Sequence, residues 1–102
     1  MAKGGSNILM KCLVEFIGTF IFLSVIITTG EAIPIGLILA GVIYWGGSVS
    51  GGNYNPAVSV MMLLAKKINP VQCGMYIIAQ LLGAAMAFYY FKITPKTLVA
   101  KR

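Results

Sequence analysis

Residues 50–67, SGGNYNPAVSVMMLLAKK, place a turn and the start of a short helix between long apolar segments. The two glycines allow unusual backbone angles, and Pro56 suits the first position of a helix because its missing N–H needs no partner there. From Ala57 the apolar run lasts only to Ala65, roughly 14 Å of helix or about half a bilayer core. The stretch predicts a re-entrant half-helix, whose irregular backbone is tolerated only beside protein or a water-filled cavity.

Three longer apolar segments surround this half-helix, and each is long enough to span a bilayer. The predicted boundaries are about 13–29 for the first helix, 33–50 for the second, 51–65 for the re-entrant loop and half-helix, and 70–91 for the third. We expect a loose lead-in up to Met10 and a basic tail at 92–102. The predicted fold is an all-α membrane protein, one domain over residues 1–102, with three transmembrane helices and one re-entrant half-helix.

The composition supports a multi-pass integral membrane protein, since 59% of the 102 residues are hydrophobic and 10% are charged. The net charge of +6 comes from basic residues that flank apolar runs, so no nucleic-acid partner is expected. Two cysteines without metal-ligand spacing, and no histidine, predict neither a metal site nor a cofactor. With two acidic residues and no nucleophile–base pair, we expect no enzymatic activity.

Polar side chains within the predicted membrane segments are candidates for a functional or bracing role. Glu15 lies one turn inside the first predicted helix, and an ionisable residue in a span normally faces protein or water. It could brace a neighbouring segment, carry an end-of-helix charge or handle protons. Gln80, in the middle of the third span, is a candidate partner for the turn, and a simple interhelical hydrogen bond is the alternative.

The segment SGGNYNPAV resembles the Asn-Pro-Ala signature of the aquaporin and aquaglyceroporin (major intrinsic protein) family, carried here by Asn55, Pro56 and Ala57. The segments VEFIGTFIFLSV (14–25) and YIIAQLLGA (76–84) resemble the first and third helices of that family. The resemblance implies a channel for water or small neutral solutes such as glycerol. It also implies that Glu15 braces the re-entrant loop. We expect Asn53 and Gln80 to give structural support to the same loop. Family members have two inverted halves, and this sequence resembles the N-terminal one.

The resemblance also maps a pore constriction onto this chain. The corresponding positions are Ile35, Ile43, Gly52 and Val58. In the family an arginine follows the second Asn-Pro-Ala motif, whereas Val58 follows the motif here. A pore built from two such halves is therefore expected to have apolar constrictions and to be less selective.

Three spans place the two ends of the chain on opposite sides of the membrane. The basic residues divide equally between the two sides: Lys3, Lys11, Lys66 and Lys67 on one, and Lys92, Lys96, Lys101 and Arg102 on the other. Charge therefore leaves the orientation undetermined, which predicts an antiparallel homodimer as the complete pore, with larger rings of dimers left open. Two alternatives are a non-conducting or regulatory partner of a full-length channel, and a dual-topology exporter similar to the small multidrug resistance proteins.

Overall fold

The structure, a computed structural model, describes residues 7–95, which form four α-helices and no strand. They are α1 (Ile8–Thr29), α2 (Ala32–Ser50), α3 (Pro56–Leu64) and α4 (Pro70–Ile93). Helices α1, α2 and α4 are long and apolar enough to cross a bilayer, whereas the nine residues of α3 are not. The predicted fold class is confirmed: this is an all-α membrane protein of three transmembrane helices and one re-entrant half-helix.

The first helix begins at Ile8, five residues earlier than predicted. The side chain of Asn7 caps it by accepting a hydrogen bond of 2.8 Å from the backbone N–H of Met10. The predicted loose lead-in is therefore helical from Ile8, and its first six residues lie outside the described residues. At the other end of the chain α4 continues to Ile93, two residues past its predicted end, and the predicted basic tail from residue 96 lies outside the described residues.

The remaining boundaries follow from cap residues that stop or start a helix. Gly30 and Gly51 end α1 and α2 in the left-handed conformation, at φ 63° and 95°. Asn55 and Asn69 cap α3 and α4, and each is followed by a proline at the first helical position. The chain therefore turns back at residues 51–55, and α3 begins only after this extended segment.

Helix α1 is the centre of the packing, since it contacts both α2 and α4, while α3 packs against α4. Gly83 of α4 allows the α1–α4 crossing to be close: a β-carbon there would lie 2.9 Å from the carbonyl oxygen of Phe16 and 3.1 Å from Cβ of Thr19. On α2, in contrast, Gly36 and Gly41 have no neighbouring atom within 4 Å of such a β-carbon.

The interior is rich in polar side chains, with six polar residues buried beside seven apolar ones among the described residues. The buried set includes one acid, one glutamine, one asparagine and three hydroxyl side chains, namely Glu15, Gln80, Asn53, Thr19, Ser50 and Ser59. Large apolar side chains such as Leu37, Leu64 and Val71 face outward. Lipid can solvate that apolar surface, whereas buried polar groups must find partners inside the protein. Five of these six residues hydrogen-bond to one another in one interior site, whereas the hydroxyl of Thr19 has no partner among the described residues.

Candidate functional site

Glu15 of α1 is completely buried and accepts four hydrogen bonds. One oxygen accepts from the hydroxyl of Ser50 at 2.7 Å and from the backbone N–H of Asn53 at 3.0 Å. The other accepts from the backbone N–H of Tyr54 at 2.7 Å and from Nε2 of Gln80 at 2.9 Å. One carboxyl group therefore holds the loop that precedes α3 against α1 and α4.

A second set of hydrogen bonds attaches the half-helix to the same centre. The hydroxyl of Ser59, in α3, accepts from Nδ2 of Asn53 at 3.1 Å and from Nε2 of Gln80 at 2.9 Å. The amide nitrogen of Gln80 thus serves both Glu15 and Ser59. The structure brings Glu15, Asn53 and Gln80 together in one network that joins α1, the loop, α3 and α4.

Tyr54 is a further part of this site that the sequence analysis missed. It is a buried non-glycine residue with a positive φ of 54°, a conformation disfavoured for residues with a side chain. Its hydroxyl donates to the carbonyl of Val42 at 2.6 Å, and its ring fills the space left by Gly18 and Gly46, where an added β-carbon would collide with it. The sequence does contain a signal for this role: a large aromatic side chain stands just before the half-helix, and the neighbouring helices contain glycines that can leave space for it.

Tyr76 of α4 makes an equivalent contact to the end of α2. It is fully buried, and its hydroxyl donates to the carbonyl of Ser50 at 2.6 Å. The side chain of Gln72 donates to the same hydroxyl at 3.1 Å. Nothing in the local sequence distinguishes this tyrosine from one at a membrane interface, so its role becomes visible only from the packing of α4.

The Asn-Pro-Ala triplet forms the start of α3. Oδ1 of Asn55 accepts from the backbone N–H of Ala57 at 2.8 Å, and Pro56 occupies the first helical position. This cap uses the oxygen of the side chain, so Nδ2 of Asn55 points away with no acceptor among residues 7–95. Asn55 and Ala57 are both exposed on the surface of the single chain. The positive end of the helix dipole lies at the same place.

The extended segment before α3 has backbone acceptors without donors. The carbonyl oxygens of Gly51, Gly52, Asn53 and Tyr54 receive no hydrogen bond from any of the described residues. A backbone carbonyl away from bulk water needs a partner. These four oxygens and the free amide of Asn55 are therefore acceptors and a donor available to a molecule from outside the chain.

The predicted constriction residues lie in two separate places. An added β-carbon at Gly52 would be 3.5 Å from Cα of Ile43, so these two residues are neighbours. Ile35 lies on α2, eight residues before Ile43, and Val58 lies on α3, a helix that does not contact α2. A single chain thus does not bring Val58 to Ile35 or Ile43. Their meeting would require a second chain and stays a prediction.

Metal-binding side chains do not converge in the part of the chain that the structure describes, where no cluster of three or more such residues occurs. Cys12 and Cys73 are free thiols, and the sulfur of Cys73 lies 3.5 Å from the carbonyl of Ser59. The chemistry of the site is therefore hydrogen bonding by amides, hydroxyls and one carboxyl group.

Three spanning helices and a half-helix held by a buried glutamate define half of an aquaporin-type membrane fold. Comparison with known families agrees, because residues 4–101 match the model of the family described as major intrinsic protein. The chain belongs to the major intrinsic protein family.

Individual relatives match this chain over part of their own length. Glycerol uptake facilitator protein-like 6 of Lactiplantibacillus plantarum is 42% identical over 76% of this chain and 40% of its own length. Nodulin-26 of Glycine max is 31% identical over 78% of this chain and 34% of its own. Aquaporin AqpM of Methanothermobacter marburgensis is 33% identical over 79% of this chain and 46% of its own length. The chain thus spans less than half of each of these relatives, and no solved structure matches it significantly.

Proposed function

We propose that this protein is a membrane channel for water and small neutral solutes such as glycerol, with each chain supplying one half of the pore. Its membership of the major intrinsic protein family supports this function, as do relatives named as aquaporins and as a glycerol uptake facilitator. The share of those relatives that the chain covers, 40% and 46% in these two, fits one of two halves.

The observation that carries the proposal is the set of unsatisfied polar groups along residues 51–55. Four backbone carbonyls accept nothing from the described residues, and Nδ2 of Asn55 donates to nothing there. Water and polyols carry hydroxyl groups that both donate and accept. Such a solute can therefore replace its hydrogen bonds to water with hydrogen bonds to the four carbonyls and then to the amide of Asn55. The rest of the pore wall is apolar, so the solute binds weakly.

The start of α3 supplies electrostatic selection. The free N–H groups of its first turn form the positive end of the helix dipole, and Asn55 adds a hydrogen-bond donor at the same depth. Cations are opposed there, and a water molecule that accepts from Asn55 has its hydrogens turned away from the centre, which interrupts a proton wire. Neutral molecules carry no net charge, so the dipole opposes their passage less than that of cations.

The second half of the pore is, in this proposal, another copy of the chain in the opposite orientation. The four-against-four division of basic residues allows insertion both ways. An antiparallel pair would bring two half-helices together at their N-terminal ends near the midplane, as in membrane folds built from inverted repeats. In such a pair Val58 of one chain would approach Ile35 and Ile43 of the other.

The test is solute flux through the chain alone, in proteoliposomes, with Asn55→Asp as the informative variant. Aspartate keeps the helix cap, since its oxygen also accepts from the N–H of Ala57, but it removes the amide donor and adds a negative charge. We expect water and glycerol permeability to fall at least tenfold, which corresponds to about 1.4 kcal/mol in a rate, or a cation leak to appear.

The matched control is Asn7→Asp, because Asn7 caps α1 through the same kind of hydrogen bond, to the N–H of Met10. It should leave flux unchanged. Wild-type protein without any flux would refute the self-sufficient channel and favour the role of a partner for a full-length channel. Equal flux in wild type and Asn55→Asp would mean that the motif only holds structure.

A further inference from the structure

A polar cavity of about 310 Å³ opens beside the re-entrant loop, and Gly51 and Asn53 of the loop are among its lining residues. It lies between the first turns of α1, the end of α2, and the connection from α3 to α4. Among the residues that line it are Lys11, Ser48, Ser50, Asn53, Lys67 and Gln72.

The cavity is positively charged and has no acid to balance it. Lys11 and Lys67 come from elements far apart in the sequence and line the same space. The chain has only two acidic residues. Glu15 is fully buried and occupied by four donors, and Glu31 follows α1 at the other end of that helix. No carboxyl group among the described residues therefore neutralises the two lysines, and the space between them favours an anion.

The position of the cavity indicates the kind of anion. Lys11 lies in the first turn of the spanning helix α1, and Lys67 lies in the short connection that precedes the spanning helix α4. Both are at the level where spanning helices enter the bilayer surface, which is the depth of phospholipid headgroups. Basic cavities between membrane helices at this depth suit anionic headgroups.

We propose that this cavity is a binding site for the headgroup of an anionic phospholipid. The two ammonium groups bind the phosphate, and the exposed hydroxyl of Ser48, which makes no hydrogen bond within residues 7–95, is available as a further donor. Ser50 and Asn53 line the cavity and also donate to Glu15. A bound headgroup therefore stabilises the loop through these two residues. This inference is independent of conduction, because binding can be measured in a chain that passes no solute.

The experiment uses the full chain in phosphatidylcholine nanodiscs that contain an increasing fraction of phosphatidylglycerol. Lipid retention is measured by native mass spectrometry, and stability is measured by thermal unfolding. Lysine near an anionic membrane surface contributes about fivefold in affinity, so Lys11→Gln with Lys67→Gln should weaken phosphatidylglycerol binding about 30-fold. The stabilisation by phosphatidylglycerol should be lost with it.

The matched control is Lys3→Gln with Lys66→Gln, which removes the same two charges from the same side of the membrane and leaves Lys11 and Lys67 in place. It should bind like the wild type, and an equal loss in both double variants would refute a specific site. Ser48→Phe fills the cavity and keeps every charge, so it should also lose binding. Retained binding there would mean that the lysines act only as surface charges.

A further arm adds inorganic phosphate to nanodiscs of pure phosphatidylcholine, where we expect no stabilisation. If free phosphate stabilises the protein as strongly as phosphatidylglycerol does, the occupant is a soluble anion and the lipid assignment is wrong.

Discussion

Glu15 accepts four hydrogen bonds, from the last residue of α2, from two backbone N–H groups of the loop and from α4. Two of those donors are backbone N–H groups of the loop, which have no other acceptor there. Because these two N–H groups are buried away from water, the carboxyl group of Glu15 is the acceptor that satisfies them. The orientation of the segment that precedes Asn55 therefore depends on one acid in a neighbouring helix.

Replacing Glu15 by alanine should destabilise the protein severely. The backbone N–H groups of Asn53 and Tyr54 would lose their only acceptor, and Ser50 and Gln80 would each lose one of two. Each unsatisfied buried group costs about 1–3 kcal/mol. We expect a loss of several kcal/mol, measured as thermal unfolding of the purified chain in detergent. Glu31→Ala is the control, since Glu31 is exposed and makes no cap hydrogen bond with its side chain. Equal unfolding temperatures for the two variants would show that the network does not hold the loop.

Sequence reasoning finds some residues of the site and misses others for a physical reason. An acid or an amide in an apolar span rarely lacks a partner, so Glu15 and Gln80 could be singled out, and Asn53 could be singled out because it lies in the turn before Pro56. Tyrosine and serine are ordinary in membrane helices, because they suit interfaces and can satisfy themselves locally. The roles of Tyr54, Tyr76 and Ser59 depend on contacts between elements far apart in the chain, which no local pattern contains.

Among the four helices, α3 is the easiest to predict from the sequence, and the start of α1 is the hardest. The proline after a capping asparagine fixes the first residue of α3, and the shortness of its apolar run limits its length. The first turn of α1 contains Lys11 and follows glycines, so hydrophobicity places the helix start too late. Its actual signal is the cap at Asn7, a local hydrogen bond that hydropathy does not register.

The half-helix also has a position where selectivity can be altered. In the proposed antiparallel pair, Val58→Arg would put a cation at each end of the pore, close to Ile35 and Ile43 of the other chain. Two charges about 4 Å apart interact by about 4 kcal/mol at an effective dielectric constant of 20. Cations and larger polyols should therefore be rejected, whereas water, which can accept from the guanidinium, should still pass.

The measurement for this variant is the ratio of glycerol to water permeability in proteoliposomes, which should fall relative to the wild type. Val58→Leu is the control, because it enlarges the side chain at the same position without adding charge. An unchanged ratio in a Val58→Arg protein that inserts and remains folded would mean that Val58 does not line the pore.

For the whole molecule, composition and segment length were sufficient to predict the fold class. Three apolar spans and one short apolar helix leave few arrangements in a bilayer, because every backbone polar group must be satisfied. What could not be predicted is the interior arrangement of those helices. It depends on close approaches at Gly18, Gly46 and Gly83, and glycines in membrane helices are too common to indicate which of them are contacts.

The orientation of the whole chain follows from few charges, so it can be changed by few substitutions. Lys92→Gln with Lys96→Gln leaves four basic residues against two, and Lys3→Gln with Lys66→Gln reverses that difference. Each double variant should insert in one orientation, with the more basic side in the cytoplasm. Reporters fused to either end should show both orientations for the wild type and a single, opposite one for each variant.

These two orientation variants provide the most direct test of the antiparallel pore. The measurement is osmotic water permeability of spheroplasts that express either variant alone or both together, at matched amounts of protein. Each variant alone lacks an inverted partner and should give background permeability, whereas the two together should restore the wild-type value. Wild-type permeability from either variant alone would contradict the antiparallel pore, as would background permeability from the mixture when both chains are inserted and folded.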